Sequence, residues 1–230
     1  MRGCIRRPFS GGQALIPLSD IDRRPFRFPL VTALIIGANV VMFFLELTQG
    51  QDFILRWAVI PAEISGGHKL VTIFSAMFMH GGWLHIIGNM VYFWAFGPEI
   101  EDAMGRIRYP IFYLGGGLAA TIAQVMMNPL SDVPNLGASG AIAAVMGAFL
   151  VTFPRDRIKT VVFIGFFFTI TFIPALVLVV FWFVLQLLSE IGSIMQRNSD
   201  GVAHMAHIGG MLFGVIAARL FELRRGAGRG

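Results

Sequence analysis

Six stretches of nearly unbroken apolar residues divide this chain, and each approaches or exceeds the ~20 residues that a helix needs to cross a ~30 Å hydrocarbon layer. They run from Phe28 to Leu47, Trp83 to Gly97, Tyr109 to Met127, Ser139 to Phe153, Val161 to Leu188 and Val202 to Leu220. With 56% of residues hydrophobic and only 13% charged, too little polar surface is left to cover so much apolar area in water. The pattern predicts an all-α, polytopic membrane protein built as a bundle of six transmembrane helices. The second and fourth runs are short. The second can be lengthened backwards through Ile73 to Met79, whereas Pro134 and Gly137 stop any extension of the fourth.

Charge supplies the orientation. Of the 18 basic residues, 15 lie before the first run, after the second, after the fourth, or from the end of the sixth onwards. The positive-inside rule then places both termini in the cytoplasm. The net charge of +5 follows from that topology and calls for no nucleic-acid partner. The first apolar run is span-length and lacks a signal peptide's short core and cleavage site, so it is expected to stay as an anchor. The resulting division is a loosely ordered basic tail over residues 1–27, a six-helix domain over 28–220 and a cytoplasmic tail over 221–230. The single cysteine, Cys4, leaves no disulfide within one chain and no cysteine metal site. The first outer loop, Thr48 to Gly82, mixes Trp, Ile, Phe and Met with turn residues, which suits a membrane-associated loop lying at the interface.

Polar side chains inside a bilayer are costly, so those within the apolar runs mark the candidate site. The second run holds His85 and Asn89, one helical turn apart on a shared face. The fourth opens on Ser139 in "NLGASGAIAAVMG", and the sixth carries His204 and His207. A span beginning at Ser139 and ending at Phe153 is only about 22 Å long at 1.5 Å per residue, which sinks the serine below the outer surface. Irregular backbone at that depth is tolerated where it lines a watery hollow, and hydrolysis needs such a hollow. Gly137 and Gly140 allow a sharp turn beside the serine. The helix start leaves free N–H groups near the hydroxyl, including the Ser139 backbone, a place to hold an oxyanion. Ser139, Ala143 and Gly147 share one helix face, and His207, Gly210 and Gly214 another; docking these small-residue faces brings Ser139 opposite His207. An imidazole near ~3 Å can take the hydroxyl proton, and no Asp or Glu lies mid-span to complete a triad, so a serine–histidine dyad remains. Taken singly, each residue has an ordinary explanation: Ser139 as a helix cap, His85 and Asn89 as interhelical glue, His207 as a buried histidine. It is their convergence on the outer ends of three spans that favours catalysis.

These residues closely resemble the rhomboid family of intramembrane serine proteases. "GASG" matches the family's nucleophile motif at Ser139, and "AHIGG" matches the segment carrying its catalytic histidine, at His207. "HGGWLHIIGN" matches two family histidines and an asparagine, at His80, His85 and Asn89. "FGPEIEDAMGRIRY" is similar to the family's Glu-x-x-x-Gly stretch, at Glu101 and Gly105. The resemblance spans roughly residues 28 to 220. It implies cleavage of single-span membrane proteins near the outer face through an acyl-enzyme on Ser139, with His85, Asn89 and the Ser139 backbone N–H as oxyanion donors. Gly137, Gly140, His80, His204 and Gly210 would support them, and neither metal, nucleotide nor other cofactor is implied. It further implies an integral protein of a bacterial or archaeal cytoplasmic membrane, in which the fifth span and the loop Ser189 to Gly201 form the substrate's gate.

Two positions depart from the pattern. Val71 and Thr72 stand where some members have Trp-Arg in the first outer loop, and Ala143 stands where some have a tyrosine stacked on the catalytic histidine. Something else must then steady His207. Two other readings stay open: a histidine metal site, given the pairs His80/His85 and His204/His207, and a noncatalytic membrane-protein binder or transporter on the same scaffold. The first lacks the Glu of H-E-x-x-H, and the second shares only buried polar residues and broken helices.

Overall fold

Helices dominate the computed structural model, which describes residues 15–23, 25–164, 167–184 and 204–223. In chain order they are α1 (Leu30–Gln49), α2 (Gln51–Trp57), α3 (Pro61–Ser65), α4 (Thr72–Ser75), α5 (Trp83–Met127), α6 (Ser139–Thr152), α7 (Ala175–Val184) and α8 (His204–Phe221). A three-stranded antiparallel sheet, ordered β1-β2-β3, joins β1 (Leu15–Asp20), β2 (Arg157–Ile164) and β3 (Phe167–Pro174). By length and apolarity α1, α5 and α8 can each cross a membrane, and α6 and α7 are shorter apolar helices. Leu34, Val41, Phe44, Ile216 and Leu220 are exposed on the outward faces of α1 and α8. Such a surface suits lipid rather than water.

The 45-residue α5 is not a single rod. At Gly105 the backbone leaves helical space (φ 76°, ψ 164°), a conformation that glycine adopts without a Cβ penalty. A straight helix would hold Phe93 and Tyr113 about 30 Å apart, yet their ring centroids lie 5.2 Å apart. The chain therefore doubles back at Gly105 into two packed arms. Glu101, just before the turn, accepts hydrogen bonds from the Val31 and Thr32 N–H groups (3.0 and 2.8 Å) and from the Thr32 hydroxyl (2.9 Å). Its carboxylate thus supplies the cap that Pro29 does not give to α1. The expected backward extension of the second apolar run does not occur: α4 and a 3₁₀ turn occupy Thr72 to Phe78, and the helix begins at Trp83 and lengthens forwards to the turn.

Around α6 the packing is closest, and every residue from Gly140 to Phe149 is buried. Phe96, Phe149 and Phe153 stack edge to face beside it. At its far end the Arg219 guanidinium donates to the Val151 carbonyl (2.7 Å), satisfying one of the orphan acceptors of the last turn.

The fifth apolar run departs from expectation. Instead of one helix from Val161, the described chain forms the β2–β3 hairpin and turns helical only at Ala175; residues 165–166 and 185–188 lie outside the described residues. "RIKTVVFI" and "FFTITFIP" are rich in β-branched and aromatic residues, which favour strands, and Pro174 suits a helix start. Hydropathy alone does not separate the two outcomes. The chain is mostly helical rather than all-α. The N-terminal tail is likewise corrected over residues 15–20, which form β1 along α5, with the Tyr92 hydroxyl donating to the Leu15 carbonyl (3.3 Å). At the base of the sheet Arg157 pairs with Asp22 and Arg23 with Asp156. Burial, with the Asp156 carboxylate beside it, pushes the Asp20 carboxyl up to about 6. At the other terminus Leu223 N–H donates to the Ala103 carbonyl (3.0 Å), so the packed domain runs past residue 220.

Candidate active site

Ser139 opens α6. Its preceding residue, Ala138, is the cap position and no side chain caps there, so the serine is the first helical residue rather than a cap. Its hydroxyl meets His207 instead: Nε2 of His207 lies 2.6 Å from Ser139 Oγ, a hydrogen-bond distance. The first bond of the helical ladder runs from the Ile142 N–H to the Ala138 carbonyl (3.0 Å), so the N–H groups of Ser139, Gly140 and Ala141 precede the ladder.

The approach of α8 depends on missing side chains. A Cβ on Gly210 would collide with the Gly140 carbonyl oxygen, and one on Gly214 with that of Ala144. Gly147 offers the same clearance to the Met211 backbone. The small-residue faces read from the sequence therefore do pack backbone to backbone, and this closeness lets a histidine on α8 reach a hydroxyl on α6.

His85 also faces the turn that carries the serine. The Cβ that Gly137 lacks would lie 2.9 Å from His85 Nε2 and 3.5 Å from Ser139 Oγ, so both atoms face one space beside Gly137. Gly137 itself has φ +135°, and its N–H donates to the Ala76 carbonyl (2.9 Å). Together with the Val59–Asn135 bridge, this fastens the first outer loop to the serine's loop. The Gly81 N–H donates to His85 Nδ1 (3.3 Å), leaving Nε2 for the site. Asn89 follows one turn along α5, and its Nδ2 is buried without a hydrogen-bond partner among the described residues. His80 packs edge to face on His85 at 5.1 Å, and its N–H donates to both carboxylate oxygens of Glu46 (3.1 Å each). His204 lies edge to face with His207 at 6.4 Å. Among the described residues no three His, Cys, Asp or Glu side chains converge in a way that could hold a metal ion.

Two features of the site were not read from the sequence: Gln124, and the contact of Trp182, expected only as a bulky residue of the gate, with His207. The indole of Trp182 on α7 lies against the His207 ring, centroids 5.4 Å apart and tilted by 49°. It covers the imidazole where Ala143, fully buried and small, cannot. Gln124, on the second arm of α5, accepts from the Ala206 N–H (3.3 Å) and so holds the first turn of α8 beside His207. Gln124, Asn135 and Ser139 also line a cavity of about 40 Å³. A polar cavity of that size has room for water. A lone amide within the third apolar run was the available signal for Gln124; a tryptophan within an aromatic run gives none. The loop Ser189 to Gly201, expected to form part of the gate, lies outside the described residues.

A family model described as "Rhomboid domain" matches residues 67–223. The chain is 28% identical over 139 residues to Rhomboid protein 1, mitochondrial, of Saccharomyces cerevisiae, covering 58% of this chain and 39% of that protein. It is 27% identical over 127 residues to Putative rhomboid protease YdcA of Bacillus subtilis, covering 54% and 62%. With Presenilin-associated rhomboid-like protein, mitochondrial, of Bos taurus it shares 29% identity over 193 residues, covering 79% and 46%. The matches thus span between 39% and 62% of these relatives' own lengths.

Proposed function

This chain belongs to the rhomboid family, and we propose that it is an intramembrane serine protease acting through Ser139 and His207. One observation carries the reading: His207 Nε2 sits 2.6 Å from Ser139 Oγ at the head of a buried helix. In this mechanism His207 takes the hydroxyl proton as Ser139 Oγ attacks a substrate carbonyl. Negative charge then gathers on the carbonyl oxygen, and the Ser139 backbone N–H, His85 Nε2 and the Asn89 amide are its donors. His207 passes its proton to the departing amine, leaving an acyl group on Ser139. A water from the cavity beside Gln124 gives a proton to His207 as it attacks the acyl carbon, and His207 returns that proton to Ser139 Oγ as the acyl–oxygen bond breaks and the second product leaves as a carboxylic acid.

The sunken serine supports membrane-embedded substrates. The 14-residue α6 covers about 21 Å, less than the ~30 Å hydrocarbon layer. Counting α1, the two arms of α5, α6, the fifth apolar run, which holds α7, and α8 gives six spans, with both termini on the basic, cytoplasmic side. Single-span proteins would be cut near the outer face, in a bacterial or archaeal cytoplasmic membrane. The test is to incubate the purified chain with a mechanism-based serine-hydrolase probe and locate the adduct by mass spectrometry. An adduct on Ser139 that is lost in His207→Ala supports the dyad, and labelling that persists in Ser139→Ala overturns it.

A further inference from the structure

We propose that β3 is a self-pairing edge through which two copies of this chain join their sheets. Among the described residues β3 has a partner on one side only, β2. An unpaired edge offers a row of N–H and C=O groups to any extended chain, and proteins protect such edges with charge, proline or bulges. The opposite edge of this sheet has all three. β1 carries Pro17, ends at Asp20 and shifts register between Pro17 and Ser19. From Phe167 to Ile173, β3 has no charge and no proline, and its pairing with β2 runs without a register shift. Phe167, Phe168, Ile170 and Phe172 are exposed on it.

The sequence of that edge fits a second copy of itself. "FTITF", Phe168 to Phe172, reads the same in both directions about Ile170. In a twofold antiparallel pair centred there, Ile170 faces the partner copy's Ile170, Thr169 faces Thr171 and Phe168 faces Phe172. Such pairs, aromatic on aromatic and Thr on Thr, stabilise antiparallel strands, and a twofold axis makes the contact closed and self-complementary. The register within the sheet supports the geometry. Val161 pairs with Ile170 and Phe163 with Phe168, so these four share one face of the hairpin, which is apolar towards its turn and carries Lys159 and Arg157 only towards its base. The sheet also climbs beside α5 from Asp20 to the Tyr92–Leu15 contact, along an apolar helix. In apolar surroundings an open edge leaves polar backbone groups unsatisfied, whereas pairing satisfies them.

The test uses the full chain with Cys4→Ser, reconstituted in bilayer nanodiscs large enough for two copies. Ile170→Cys lies on the proposed axis, where facing Cα atoms stand about 4.5 to 5.5 Å apart, within disulfide reach. Mild oxidation should convert it to a species of twice the monomer mass that reducing agent reverses. Val161→Cys is the control: the two copies' β2 strands would stand three strand spacings apart, about 14 Å, too far to bridge. Ile170→Lys should reduce the oxidation-independent dimer seen by native mass spectrometry to monomer. Equal crosslinking at 161 and 170, a wild-type monomer under the same loading, or a disulfide from Ile170→Cys to a cysteine-bearing model substrate in place of itself would each overturn the proposal.

Discussion

In the proposed mechanism His207 accepts a proton from Ser139 and then hands it to a leaving amine, so its ring plane has to stay fixed through both steps, and the indole of Trp182 lies against that ring. Trp182→Ala should lower kcat by roughly tenfold to a hundredfold with KM nearly unchanged, because small misplacements of a catalytic group are costly. Trp182→Phe, which keeps a ring, should restore most of the rate; equal loss in both variants would assign Trp182 to general packing. Ser139→Ala and His207→Ala should each abolish cleavage, and the double variant should be little worse, since the pair acts as one unit. Full cleavage by Ser139→Ala would end the mechanism. His85→Ala and Asn89→Ala should lower kcat more than substrate binding, by a factor on the order of 10 to 10³. His204→Ala should be milder, and an inactive His204→Ala would show either that the base had been misassigned or that the two histidines act as a pair. These positions were legible because a polar side chain within an apolar run stands out. The contact of Trp182 with His207 was not, since its partner lies on a helix distant in sequence and its neighbours are aromatic too; the sequence suggested only a bulky gate residue there.

Between elements the α6–α8 contact sets the site's dimensions, because Gly210 and Gly214 bring two backbones together. Gly214→Val should push α8 away from Ala144, costing about 1 to 3 kcal/mol of overpacking strain, read as a lower unfolding midpoint together with lost cleavage. Retained activity would mean that the helices can separate without parting Ser139 from His207. The small-residue spacing made this contact readable in advance. The sheet was not readable that way, because an apolar run of Val, Ile, Phe and Thr satisfies helix and strand alike until Pro174 and the pairing with β1 decide it. That sheet is also tied to pH through Asp20. Its carboxyl, raised to about 6 in the folded protein from 3.8, is the side that binds the proton more tightly when folded. The folded state therefore gains most below about pH 4, and this stabilisation fades as the pH rises through 6. Amide exchange over β1, corrected for intrinsic rates, should accelerate from pH 5 to pH 7.5, and Asp20→Asn should flatten the difference. An unchanged pH profile in Asp20→Asn would show that another group controls the strand.

For the molecule as a whole, the proposed function raises the problem of access: a substrate helix would have to leave the bilayer and reach a serine at the head of a buried helix. α7 is the element best placed to move. It buries Ala175, Leu178 and Val179 and exposes Leu176, Val177, Val180 and Phe181, so it rests on the bundle by one apolar face with lipid-compatible residues on the other. Apolar contacts are non-directional and allow sliding more readily than hydrogen bonds do. Trp182 and Phe183 sit at the same end of α7 but make different predictions, since only Trp182 touches the His207 ring. Phe183→Ala alone should loosen the gate and raise the cleavage rate of a transmembrane substrate, with little change in hydrolysis of a small soluble ester. A crosslink holding that end of α7 to the first arm of α5 should slow the transmembrane substrate selectively. Equal effects on both substrates would place the change at the dyad, and an unimpeded crosslinked enzyme would mean that substrates arrive by another side of the bundle.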